Sequence, residues 1–170
     1  MMLGLPLLYV GVVLILNGLW LRGRIDDREI ILINLCVAGI SFLVALHAAL
    51  FAQAVGDVRS AAMVLLFAIT YLWVAYNRIT GCDGRGLGWF CLIVAITVIP
   101  MAASTLAQGT GFMFIWLGLC WAAWAVLWFM YFLLLTVQMP ILKQTAYFTL
   151  FCGVFTGWMP GMILLFSISK

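Results

Sequence analysis

Charge is scarce in this chain: only 8% of its 170 residues are Asp, Glu, Lys or Arg, against about 25% in soluble globular domains. Hydrophobic residues make up 68%, so no soluble domain fits outside the apolar segments, and function must reside in a membrane bundle or its short loops. No ionised residue falls inside an apolar segment; each lies in a loop, at a boundary or at a terminus. Ion-coupled transporters typically hold an intramembrane acid that binds the coupling ion. Its absence favours passive permeation of a neutral solute over active transport or ion conduction. His47 is the single histidine, which excludes a two-histidine haem clamp and an ordinary zinc site, and any Ser–His dyad would have to use it. We read it as hydrogen-bonded to a neighbour or exposed at the interface. The net charge of +3 is too dispersed for nucleic-acid binding, which needs a clustered basic patch. The five cysteines, Cys36, Cys82, Cys91, Cys120 and Cys152, form no CxxC pair and no metal-ligand spacing, so they read as buried small hydrophobes. Neither enzyme chemistry, a metal nor a cofactor is expected.

What is present is long apolar runs. Six can be drawn, about 3–21, 30–53, 60–77, 86–107, 112–136 and 144–168, each near the roughly 20 residues that cross a bilayer. The first has no basic region ahead of it and no small-residue cleavage site after it, and is read as a retained helix. Arg22, Arg24, Arg28, Arg78, Arg85 and Lys143 lie in the odd-numbered loops, whereas the even loops and C-terminus hold Arg59 and Lys170. The positive-inside rule then makes the odd loops cytoplasmic and turns both termini outward. Asp26, Asp27 and Glu29 would sit near the N-terminus of span two, where the helix dipole favours anions. The expected fold is an all-α integral membrane protein, one domain over 1–170, multi-pass in the bacterial inner membrane. Short loops make successive helices antiparallel neighbours.

The fifth segment, Phe112–Leu135, carries Trp121, Trp124 and Trp128 at spacings of three and four, one helical face. Hydrocarbon cannot satisfy an indole N–H, so this mid-span stripe should face protein or a pore. Packing residues and pore lining both remain open at this point. Span three sets Phe67, Thr70, Tyr71 and Val74 on one face, and span one Leu7, Val10 and Leu14. Aliphatic walls, aromatic rings and neutral hydrogen-bonding groups suit a small, planar, uncharged molecule whose amide edges meet N–H and O–H groups in succession; ions would find no compensating charge. Asn17 and Asn34, costly in hydrocarbon unless paired, are expected to hydrogen-bond between helices or to a loop. Gly153, Gly157 and Gly161 repeat at four, a small-residue face for tight packing within the bundle or between protomers, and Gly11, Gly18 and Gly39 permit close approach. Pro100 and Pro160 each remove a backbone donor and leave a carbonyl that a neighbour or water must satisfy.

The opening MLGLPLLYVGVVLILNG (Met2–Gly18), LLFAITYLWVAYN (Leu65–Asn77), GLGWFCLIVAITVIP (Gly86–Pro100), WAAWAVLWF (Trp121–Phe129) and FTGWMPGMILL (Phe155–Leu165) together resemble the AmiS/UreI family of amide and urea channels over nearly the whole chain. The resemblance implies six helices as three helix hairpins around a pore in each protomer, and a homo-hexameric ring whose centre is filled by lipid. It further implies passive passage of urea or short aliphatic amides to a cytoplasmic amidase or urease. On matching positions, the pore lining it implies is Leu7, Val10 and Leu14, then Phe67, Thr70 and Tyr71, then Trp124 and Trp128, and Trp158; Trp121 shares the stripe. Acid-activated channels of the family carry long, histidine-rich outward loops. Here the corresponding loops, Gln53–Arg59 and Gln108–Gly111, are short and lack histidine, so acid gating is not expected. Cys152 stands where urea-channel relatives carry a glutamate, which leans the substrate toward aliphatic amides, as in the amidase-associated branch. Two other readings compete: a non-transporting scaffold that docks a cytoplasmic partner through basic loops, and a proton-coupled amide transporter using His47 or Tyr71.

Overall fold

The computed structural model describes residues 4–109 and 111–166. Lys170, used above for topology, lies outside them, as do the extreme ends of the first and last expected spans. Among the described residues six helices are long and apolar enough to cross a membrane: α1 (Gly4–Leu21), α2 (Glu29–Leu50), α3 (Val55–Thr80), α4 (Arg85–Ala107), α5 (Phe112–Leu135) and a sixth span, Leu142–Phe166. The sixth consists of α6 (Leu142–Cys152), a π-helical segment (Gly153–Trp158) and α7 (Met159–Phe166).

Helix α3 is longer at both ends than the expected 60–77. Its start is set by Asp57, whose carboxylate accepts the backbone N–H groups of Gln53 and Ala54 at 3.0 Å each, satisfying donors that precede the first turn. Its end is set by Gly81, which adopts φ +73°, a left-handed stop that glycine takes at little cost. Of the loop-one acids, Glu29 opens α2 and Asp26 accepts the N–H of Arg28. Asp27 turns away from the helix terminus: it accepts the Trp20 indole N–H at 2.6 Å and faces Arg78 at 3.7 Å, tying loop one to the end of α3.

The helices pack chiefly as α2 with α3, α4 with α5, and α1 with the sixth span. The last pair joins the two ends of the chain and closes the bundle. Along this seam a methyl placed on Gly157 would lie 2.4 Å from the Gly11 Cα, and one on Gly11 would lie 2.1 Å from the Trp158 nitrogen. The small-residue stripe therefore serves contact inside the protomer, because each glycine meets α1 backbone. Gly39 departs from the expectation of close approach: nothing lies within 4 Å of where its Cβ would be. Cys82 and Cys36 depart from the expectation of burial: Cys82 is exposed between α3 and α4, and Cys36 lies on the exposed face of α2, away from the buried row Asn34, Val37, Ala38 and Ser41. His47 is exposed and stacks obliquely on Phe51, with centroids 4.7 Å apart.

The π segment accounts for Pro160. A π turn pairs each N–H with the carbonyl five residues earlier, as the Met159 N–H does with Val154. Proline has no such donor, so the carbonyl of Phe155 is left over, and the indole of Trp116 donates to it at 3.0 Å. Helix α4 runs on through Pro100, which is exposed.

Because only backbone surrounds it, Gly157→Ala should destabilise the protein by about 1–3 kcal/mol, whereas Gly39→Ala should leave stability unchanged or slightly raised. Thermal unfolding midpoints of the two purified variants in detergent test this directly, and equal midpoints would contradict the packing seam.

Candidate functional site

Two cavities run in tandem through the bundle. The wider, of about 430 Å³, lies at the end that carries the α2–α3 and α4–α5 loops; Leu7, Val10, Ser41, Asp57, Arg59, Ser60, Gln108 and Trp121 are among its walls. The narrower, of about 30 Å³, lies deeper and is lined by Leu14, Asn17, Phe67, Thr70, Tyr71, Val74, Leu87, Cys91, Trp124, Leu127, Trp128 and Tyr131. Phe67 and Trp124 line both, so their rings form the partition.

Phe67 is the centre of the aromatic cluster. Its ring stands edge-on to Trp124 at 4.9 Å, tilts against Trp128 at 4.8 Å and Trp121 at 6.3 Å, and stacks on Tyr71 at 6.4 Å. Trp121 meets Trp124 edge-on at 4.9 Å. These are the offset and perpendicular arrangements that ring quadrupoles prefer. The α5 stripe found by periodicity is thus completed by one ring from α3.

Threonines orient the rings. Thr156 donates to the Cys152 carbonyl at 2.6 Å and accepts the Trp124 indole N–H at 2.7 Å. Thr70 donates to the Leu66 carbonyl at 2.7 Å and accepts from Trp128 at 3.3 Å. Thr149 donates to the Thr145 carbonyl at 2.7 Å, so the Tyr131 hydroxyl, 3.1 Å away, is the donor to it. A hydroxyl has one hydrogen and two lone pairs; bonding back to its own helix leaves it an acceptor. This revises one expectation. The indole donors of Trp124 and Trp128 are already engaged, so a passing solute would meet ring faces there, and the remaining polar atoms come from elsewhere. Tyr71 supplies one: it is only 2% exposed, and no described residue hydrogen-bonds its hydroxyl.

Of the residues singled out in the sequence, Leu14, Phe67, Thr70, Tyr71, Trp124 and Trp128 gather at the narrow cavity, and Leu7, Val10 and Trp121 at the wide one. Cys152 is fully buried and lines neither. Trp158 is 42% exposed on the protomer surface and likewise lines neither, because the inward side of the sixth span is taken by Thr149, Cys152, Thr156 and Gly157. Leu87, Cys91, Leu127 and Tyr131 line the narrow cavity without having been singled out. Leu127 and Tyr131 lie three residues beyond Trp124 and Trp128, a spacing that extends the stripe; Leu87 and Cys91 come from α4, which shows no pattern of its own. Among the described residues no group of three or more His, Cys, Asp or Glu could hold a metal ion.

A family model described as AmiS/UreI family transporter matches residues 2–168. A protein of Mycolicibacterium smegmatis described as a transporter of amidate substrates is 40% identical over 168 residues, which span 95% of this chain and 76% of that protein. The acid-activated urea channel of Helicobacter pylori is 32% identical, across 96% of this chain and 97% of the channel. The closed-state structure of the Helicobacter pylori urea channel superposes with a TM-score of 0.89 at 31% identity, across 99% of this chain and all of that one. These relatives are channels and transporters, not enzymes.

Thr156→Val keeps the shape of the wall but removes the acceptor of the Trp124 indole. Leaving that buried donor unmatched should cost about 1–3 kcal/mol, whereas Thr97→Val, at an exposed hydroxyl, should cost little. Chemical or thermal unfolding in detergent distinguishes them, and equal losses would mean that the indole contact is dispensable.

Proposed function

This chain belongs to the AmiS/UreI transporter family, and from that premise we propose that it is a passive channel for short-chain aliphatic amides and urea. In this reading it supplies a cytoplasmic amidase or urease. The observation that carries the reading is the tandem pair of cavities meeting at Phe67 and Trp124, with no Asp, Glu, Lys, Arg or His on the narrower wall. An ion entering there would lose hydration and meet no compensating charge. A planar neutral molecule loses far less, and slides between the faces of Phe67, Trp124 and Trp128 while Tyr71 offers a hydroxyl.

The narrow cavity has room for about two waters, taking 10–15 Å³ of such space for each. Passage of an amide therefore requires the rings at the partition to shift. The wide cavity faces outward if the basic odd loops are cytoplasmic; its mouth then carries Asp57 and Arg59. The reading places the protein in the inner membrane with both termini outside, as a homo-hexamer with lipid in the ring centre. Six pores then act in parallel, since each protomer contains a complete cavity pair. Passive operation is supported by the absence of any ionised group on the narrow wall. Acid independence is supported by the position of the one histidine: His47 stacks on Phe51 and lines neither cavity.

Stopped-flow light scattering on proteoliposomes tests the reading. Acetamide and urea should enter faster than in protein-free liposomes, without an ion gradient. Rates should be equal at about pH 5 and about pH 8, the interval across which histidine changes charge. Trp124→Ala or Trp128→Ala should lower amide flux about tenfold, the equivalent of roughly 1.4 kcal/mol of lost ring contact. Strict dependence on a proton gradient would replace passive flow with coupled transport, and entry confined to the acidic sample would overturn the ungated assignment.

A further inference from the structure

Asn17 of α1 and Asn34 of α2 form a reciprocal amide pair. The Asn17 Nδ2 donates to the Asn34 Oδ1 at 3.2 Å, and the Asn34 Nδ2 returns a bond to the Asn17 Oδ1 at 2.8 Å. Asn34 also donates to the Ile30 carbonyl at 2.9 Å. It is fully buried and both of its N–H groups are engaged, so it has no freedom to turn. Asn17 is different. An asparagine carries two donors and two acceptor lone pairs, and the pair uses one of each.

One N–H and one lone pair of Asn17 thus remain, and Asn17 lines the narrow cavity, about one helical turn beyond Leu14 and together with Tyr71. The two indole donors along this wall, Trp124 and Trp128, are taken by threonine. Asn17 and Tyr71 are therefore the groups on the narrow wall that can each offer both a donor and an acceptor to a solute, and Asn17 presents them side by side on a planar amide edge. An amide or urea, with a carbonyl and an N–H on one planar edge, matches that combination; an alcohol presents its donor and acceptor from a single oxygen.

We infer that Asn17, locked in orientation by Asn34, is a specificity-determining contact that hydrogen-bonds the amide group of the solute in the deep half of the pore. Asn34 is a positioning residue. The inference rests on the channel reading above and names the chemistry of its recognition step. Pairing between helices alone would not require a position on the cavity wall, since two asparagines meeting anywhere along α1 and α2 would satisfy each other.

A double replacement separates the roles. Exchanging both partners of a buried hydrogen bond for apolar groups of similar shape is close to neutral for folding, so Asn17→Leu with Asn34→Leu should assemble normally. If the pair served only to join α1 to α2, this variant would conduct acetamide as the wild type does. As a solute contact, its loss should lower acetamide flux about tenfold. Asn17→Ala with Asn34→Leu, which widens the cavity, should show the same loss and rules out simple blockage by leucine. Wild-type flux in either variant overturns the inference.

A second measurement needs no variant for its readout. The chain contains three asparagines, Asn17, Asn34 and Asn77, so selective side-chain ¹⁵N labelling gives three resolvable amide groups in membranes. Saturating acetamide should shift the Asn17 signal, and an unmoved Asn17 signal in protein that conducts acetamide overturns the inference. Wild-type protein that conducts no acetamide would instead refute the channel reading itself.

Discussion

Three threonine hydroxyls, Thr70, Thr149 and Thr156, each donate to a carbonyl one turn earlier and accept from an aromatic group of α5. In hydrocarbon an unmatched indole or phenol donor is costly, so these acceptors determine where the rings can stand. Trp124 is bound to the sixth span, Trp128 to α3 and Tyr131 to the sixth span again. Helix α5 is thereby fixed to walls on both sides of the cavity. Phe67, which has no polar atom to satisfy, fills the space among the rings so positioned. The partition between the two cavities is the product of donors placed first and a hydrocarbon ring packed second.

This division explains the balance of chemistry along the path. Composition suggests a passage rich in indole donors, yet those donors are turned into the wall. What faces the cavity is mostly ring surface and aliphatic side chain, with polar atoms confined to a few places such as Asn17 and Tyr71. A solute crossing it exchanges water for dispersion contact over most of the distance and recovers hydrogen bonds only locally. In the proposed channel that exchange suits neutral, flat molecules better than ions.

The helices were legible because hydropathy alone locates them: length and lack of charge mark all six, and each boundary fell within a few residues except at the start of α3. There Asp57 caps a polar first turn that hydropathy treats as loop. The side of α3 that faces the narrow cavity was legible too, since Phe67, Thr70, Tyr71 and Val74 share a helical period and gather there. What periodicity could not supply was rotation between helices. Nothing in the spacing of Thr156 reveals that it meets Trp124, a partner 32 residues away, or that Cys152 lies behind the wall. Trp158 illustrates a different limit: the resemblance placed it at the pore, whereas the inward side of the sixth span is held by Thr149, Cys152, Thr156 and Gly157. Gly39 and Cys36 lie on the outer side of α2, whose inner side is marked in the sequence only by Asn34 and Ser41, too few positions to orient the helix from spacing alone.

The π segment has a geometric effect on the seam it belongs to. Residues four apart advance by about 40° on an α-helix of 3.6 residues per turn. Gly153, Gly157 and Gly161 would therefore fan through about 80° and could not all rest on a straight neighbour. A stretch with more residues per turn winds that drift back, and all three glycines meet α1, opposite Ile15, Gly11 and Leu8. The wide turn acts as a phase corrector that keeps a four-residue repeat in step with a straight partner. Pro160, just beyond it, has no N–H to give to Thr156, four residues back, and so imposes no hydrogen bond that would pull the segment back to α pitch. Trp116, by taking the Phe155 carbonyl, makes the corrected phase a property of α5 as much as of the helix that contains it.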